Sequence, residues 1–244
     1  MTRFGDLRGE RIEGVDVSGS RWRNVNLSGA KMVDVLLTNA DLSGLIDGLK
    51  VNGIEVAPLI EAEVERRYPE RRKLFGTTPE ALRDALPVVE ELLGRTWKRA
   101  SGRGSERLRE RVDEEWSVTE TVRHLVFVVD AWFRRMILGL DDAFHPIGLP
   151  PDFLQSSPPG TDIDASASPS FEEALEVWRG RWAAVRTFVE EMTRDEMKRA
   201  CEAHGDGYPP APTTRTVRDC LWSVFGEIWA HDRFMNRDLD ALSS

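Results

Sequence analysis

Glu227 and His231 have the clearest capacity for chemistry in this chain, standing four apart in GEIWAHDRF. On a helix that spacing sets two side chains one turn apart on a common face. A carboxylate carried toward an apolar interior is costly unless it is paired, hydrogen-bonded or bound to a cation, so its position asks for a partner. His124, in TVRHLV, lies in a second apolar-striped segment and could reach the same point from across the fold. Two imidazoles and one carboxylate suit zinc or another first-row divalent ion, and three protein ligands leave positions open for water or substrate. Spacing leaves plainer alternatives open. Glu227 and His231 could bond each other or a core Trp, and a lone His124 is more often a satisfied core histidine.

Other residues have weaker claims. His145, in FHPIGLPP, could reach over the site from a loop, although a lone loop histidine is usually solvated. His204, in EAHGDGYPP, has less in its favour. Glu120, one turn before His124, could orient it, but a capping position explains that glutamate equally well. Cys220 is seven before Glu227, where a small buried apolar residue is the plain reading and a catalytic thiol the less favoured one. Trp222 and Trp229 are expected to pack or to line the cleft.

Helices must position these groups, and the sequence marks their starts. Ser117 with Glu120 and Ser170 with Glu173 have the spacing of capping boxes, and Thr216 with Asp219 is an acidic variant. Thr78-Pro79-Glu80 is a further helix start, with Pro87 expected to kink or restart that helix. The second long segment carries Val118, Val122, Leu125, Val129, Trp132 and Met136 at spacings of three and four. The third carries Phe171, Leu175, Trp178, Trp182, Val185, Val189 and Met192. In the fourth, Val217, Leu221, Val224 and Ile228 lead to His231. A Pro-, Ser- and Asp-rich stretch over about 140–169 is expected to cross one end as an irregular segment that could act as a lid. CEAHGDGYPPAPTT at 201–214 reads as a second irregular stretch.

The N-terminal region follows another period. Leu7, Ile12, Val17, Trp22, Leu27, Met32, Leu37 and Leu42 recur every five residues, with Val15, Ser20, Val25, Ala30, Val35 and Ala40 as a second inward set. This resembles the pentapeptide repeat, A-(D/N)-L-x-x, most closely in VNLSG at 25–29 and ADLSG at 40–44. The resemblance implies a right-handed quadrilateral β-helix of about two coils, which is short for a repeat that buries its apolar face only against neighbouring units. LKVNGIEV at 49–56 reads as an Asn-Gly hairpin that would close the coil. The helical start APLIEAEVERR comes next, with Pro58 in its first turn. The expected division is a coil over 1–56, a connecting helix over 57–77 and a four-helix bundle over 78–244.

EWSVTETVRHL at 115–125 resembles the W-S-V-x-E-x-x-x-H-L segment of the DinB-like family, and EIWAHDRFMNRDL at 227–239 is similar to its late E-x-x-x-H helix. The resemblance implies a mainly α four-helix bundle binding zinc, nickel or a similar ion through His124, Glu227 and His231. The glutamate departs from the three-histidine form and is similar to the mycothiol-dependent maleylpyruvate isomerase branch. A thiol held by such a cation loses its proton near neutral pH, so a metal-dependent thiol S-transferase or isomerase using mycothiol or another low-molecular-weight thiol is expected. A metal-dependent hydrolase uses the same ligands. A non-catalytic interaction or scaffold protein with a structural or vestigial metal is the rival from another class.

Composition narrows the partners. The 41% hydrophobic and 31% charged fractions suit a folded soluble protein, and a net charge of -9 gives a nucleic-acid backbone little to hold. The basic run ERRYPERRK at 65–73 reads as a solvated helix face. No stretch has the length of a membrane span and the start MTRFGDLRGE lacks a signal segment, so a cytoplasmic location and no membrane partner are expected. Cys201 and Cys220, the only cysteines, are expected to be reduced. A small-molecule substrate and a homodimer complete the expectations.

Overall fold

The computed structural model describes residues 6–154 and 157–243. Residues 1–5 of the N-terminal start, and 155–156 of the irregular segment, lie outside the described residues. The chain divides into two compact units, with the boundary between Leu42 and Ser43.

In the first unit the five-residue beat is a backbone period. Gly9, Gly14, Gly19, Asn24, Gly29, Asp34 and Asn39 all have left-handed φ, between 54° and 79°. Each stands two residues after a ladder residue, and each is of a type that tolerates that conformation. Asp16 and Asn26 accept the N–H two residues on, at 2.9 Å, in Asx turns. Turn bonds from Ser20 to Val17, Ala30 to Leu27 and Ala40 to Leu37 recur every ten residues. Among the described residues the unit forms no strand, and none of its side chains is buried. The eight ladder residues are 42–63% exposed, against 95% for off-beat Leu36. The beat therefore does distinguish a sheltered side. The shelter is partial, because so few repeats give each ladder residue few neighbours.

The second unit begins with the expected hairpin. β1 (Lys50–Val51) pairs antiparallel with β2 (Ile54–Glu55) across Asn52 and Gly53, both left-handed as a two-residue turn of this hand requires. α1 (Ala57–Arg67) and the short α2 (Arg71–Leu74) occupy the region expected to be one connecting helix. α3 (Pro79–Ser101) starts at Thr78, whose side chain accepts from the Ala81 N–H, and runs unbroken through Pro87. The expected restart is corrected. Pro87 lies on the exposed face, where water can satisfy the Arg83 carbonyl that loses its helical donor.

α4 (Val118–Val129) opens on the Ser117–Glu120 capping box and continues as π-helix over Asp130–Ile137. α5 (Phe171–Glu191) opens on the Ser170–Glu173 box, and the short α6 (Arg194–Lys198) comes after it. β3 (Ala200–Glu202) and β4 (Thr214–Thr216) then pair antiparallel, so the stretch read as irregular over 201–214 is bracketed by a small sheet. α7 (Val217–Ala241) opens on a reciprocal Thr216–Asp219 box.

The unit is mainly helical. α4 packs on α5 and α7, and α3 packs on the same two, closing a ring of four long helices. The stripes read from the sequence line its core: Val118, Val122, Leu125 and Val129 are fully buried, as are Val185 and Val189, and Val217, Leu221, Val224 and Ile228. Among the described residues no helix is long and apolar enough to cross a membrane.

Candidate metal centre

Two helix starts set this site. The Ser117 box fixes the first turn of α4, and two turns on His124 points into the interior, 5% exposed. The Thr216 box does the same for α7, where Ile228 anchors the buried stripe and His231 continues it, 9% exposed. Glu227, one turn before His231, keeps a side chain 44% exposed, so its carboxylate opens the cluster toward solvent. One ligand atom from each of His124, Glu227 and His231 lies within 4.8 Å of the others. Glu227 Oε2 is 3.1 Å from His231 Nε2 and 3.9 Å from His124 Nε2.

The tautomer of His124 is determined by its other nitrogen. Nδ1 lies 2.9 Å from the carbonyl of Leu149, which can only accept, so Nδ1 carries the proton. In the neutral ring the Nε2 lone pair therefore faces the Glu227 carboxylate. Two acceptors 3.9 Å apart suit a cation between them, either a proton or a metal ion. With the imidazoles protonated, burial works to raise the Glu227 carboxyl, but hydrogen bonds and charge from His124 and His231 prevail and bring it down to about 2. Burial pushes His231 below the usual imidazole range; the bond to Glu227 opposes this and repulsion from His124 adds to it. A site that holds its acid ionised and disfavours protonation of an imidazole suits cation ligation.

The surrounding residues hold this geometry. Trp116, just before the Ser117 cap, lies over both imidazoles, with ring centroids 4.6 Å from His124 and 6.1 Å from His231. Its indole N–H donates to Asp152 at 3.0 Å, so the irregular segment after α4 contributes a carbonyl at Leu149 and a carboxylate at Asp152. Behind His124 lies Phe127, which is packed by Phe144 and Tyr208. Sequence reasoning gives Leu149, Asp152 and Tyr208 no role. A backbone carbonyl carries no side-chain signature, and Trp116 stands in the family-like segment without its stacking role being legible there.

The remaining candidates lie elsewhere. Glu120 is held by its capping box and by Arg111 at 2.5 Å, and the group that orients His124 is the Leu149 carbonyl instead. The His145 ring accepts from the Ile147 N–H and its backbone N–H donates to Asp130, outside the cluster. His204 is exposed. Cys220 is fully buried, in line with the plain reading, and Cys201 is buried too. Trp222 donates to the Gly76 carbonyl and Trp229 packs edge-on against Tyr68, so both serve packing.

Comparison with known proteins gives two matches along the chain. A family model described as the DinB superfamily matches residues 60–235, and one described as pentapeptide repeats matches eight copies over residues 11–44. No curated protein and no solved structure matches the chain.

Proposed function

Because the chain belongs to the DinB superfamily, we propose that His124, Glu227 and His231 hold a divalent metal ion, zinc first and nickel or another first-row ion next, in an enzyme that acts on a low-molecular-weight thiol. The observation that carries this reading is the His124 Nε2 lone pair, fixed by the Leu149 carbonyl and facing an ionised carboxylate and a second buried imidazole. The donor set suits such an ion, and three protein ligands leave positions for an incoming group. When bound, the cation would supply Lewis acidity that lowers the pKa of a coordinated thiol, as in the thiol S-transferase or isomerase chemistry expected with mycothiol. The chain's own part is to hold the imidazoles with Trp116 and Leu149, keep Glu227 ionised, and leave its exposed side open. On this reading the ring of four long helices is a four-helix bundle, and the repeats are a short β-helix.

The test is elemental analysis of the purified chain beside His231→Ala. Stoichiometric metal should fall to background in the variant, and undiminished metal would remove the basis for the site. A thermal-shift series with mycothiol, bacillithiol and glutathione then addresses the thiol. A shift with one thiol that disappears in His231→Ala supports thiol chemistry. Bound metal with no response to any thiol turns the reading toward the hydrolase or toward a scaffold. The scaffold reading has one observation in its favour, the half-covered apolar ladder of the repeat unit, which is suited to contact rather than chemistry.

A further inference from the structure

The two cysteines, absent from the metal-ligand cluster, lie in one buried core cluster. Cys201 is the central residue of β3, the one inward position of that strand. Its register partner is Arg215 on β4, and the Val217 N–H donates to the Arg199 carbonyl at 3.0 Å, which ties the start of α7 to the same strand. Cys220, one turn further along α7, is thereby brought close to Cys201, and both side chains are buried in the same core cluster. Both are free.

They are not equivalent. The Arg199 guanidinium lies 3.7 Å from Cys201 Sγ, and Cys201 lines a cavity of about 320 Å³ together with Ile137, Gly139, Arg199, Glu202 and His204. Cys220 is fully buried and is not in that lining. Cys201, itself 2% exposed, thus has a cation beside it and borders a cavity, and Cys220 has neither.

We propose that Cys201 and Cys220 form a reversible dithiol oxidation site for small hydroperoxides, with Cys201 as the attacking thiol and Cys220 as the resolving one. The Cys201 thiolate attacks the outer peroxide oxygen, the O–O bond breaks, and the departing oxygen takes a proton and leaves as water or an alcohol. Cys201 is then a sulfenic acid. The Cys220 sulfur attacks it, hydroxide leaves and combines with the Cys220 proton as water, and a disulfide closes across residues 201 and 220. The peroxide is reduced by two electrons, both supplied by the thiol pair. The neighbouring Cys220, together with the charge of Arg199, holds Cys201 below the usual thiol range against its own burial. Cys220 is pushed up by the neighbouring Cys201 and by burial. That division suits one thiol to attack and the other to keep its proton until the second step.

The experiment treats the full chain, as purified, with hydrogen peroxide and maps peptides without reduction. A cross-linked peptide joining Cys201 to Cys220 is expected, and both thiols should disappear from titration of the unfolded protein. In Cys220→Ser, Cys201 should persist as a sulfenic acid trapped by dimedone. In Cys201→Ser, Cys220 should be oxidised at least about tenfold more slowly than Cys201 in the wild type. Two titratable thiols after peroxide, disulfides only between chains, or equal rates at Cys220 with and without Cys201 would each overturn the proposal. The wild-type peptide map decides the matter even where a variant fails to fold.

Discussion

Leu27 is the best covered of the repeat ladder and is still 42% exposed, whereas Phe225 on α7 is fully buried. Both belong to strict apolar periods. The five-residue period of the first unit is satisfied locally, by Asx turns and left-handed residues that return the backbone to the same state at every copy. Such a period sets direction without guaranteeing cover, because cover must come from another copy of the same unit. The three-and-four period of the helices is met by different elements, so each stripe arrives at a surface already shaped to receive it. A reactive cluster can be built only where side chains converge from separate elements, and the candidate centre accordingly lies between α4 and α7.

The sharpest way to probe that contrast is to remove volume from the covered side. Phe225→Ala should lower unfolding free energy by about 3–5 kcal/mol, the range for large-to-small changes at fully buried positions. Denaturant unfolding monitored by far-ultraviolet circular dichroism would measure it. A loss near zero would mean that the helical unit is not packed as its burial implies.

Charge provides the next test, since the second unit buries an acid while the acids of the repeat unit face solvent. Asp130 is fully buried, accepting from Arg181 at 2.6 Å and from the His145 N–H at 2.8 Å. Burial outweighs these partners and raises its carboxyl to about 6. The folded state therefore holds a proton on Asp130 over the interval between the ordinary carboxylate value and that one, where the unfolded chain has released it. The stability it supplies is complete at about pH 4 and is lost as pH rises through about 6, on the order of 3 kcal/mol. Asp130→Asn lacks this titration. The wild-type minus variant difference in unfolding free energy should therefore fall by roughly that amount between about pH 4 and pH 7. A flat difference would show that Arg181 and Arg134 compensate the charge fully.

Legibility in the sequence divides along the same line. Helix starts were readable because a capping box is complete within four residues, and all three expected boxes form with both reciprocal bonds. The members of the cluster were readable from Glu227–His231 spacing together with a family resemblance at His124. Neither alone placed them within reach of one another. The Leu149 carbonyl that orients His124 was not readable, since every residue offers the same group. Nor was the shared burial of Cys201 and Cys220, because β3 is too short for alternation to mark an inward position. The restart expected at Pro87 is absent because a propensity rule takes no account of which face meets water.

Capping supplies a smaller contrast, since a helix start depends on one side chain whereas each repeat turn is one of several alike. Ser170→Ala removes the oxygen that accepts from the Glu173 N–H at 3.1 Å and leaves the first turn of α5 with one fewer partner. A loss of about 1 kcal/mol is expected by thermal unfolding, with the core otherwise intact. A loss several times larger would indicate that the box also holds the irregular segment before it in place.

The smallest effect is expected in the repeat itself, and it bears most directly on the comparison. Leu27→Ala removes the best-covered ladder side chain, but at 42% exposure much of its surface already meets water. The transfer loss should be below about 1 kcal/mol and the cavity contribution small, because no closed shell surrounds the position. The Asx turn of Asn26 with Ser28 uses none of the leucine side chain and should persist. Amide exchange across residues 25–29 is the appropriate readout, since global unfolding would report mainly on the helices. A modest rise in exchange confined to those residues is the expected result. Collapse of protection across all the repeats would show instead that the coil holds together cooperatively, and that its ladder is covered in solution by something its own residues do not supply.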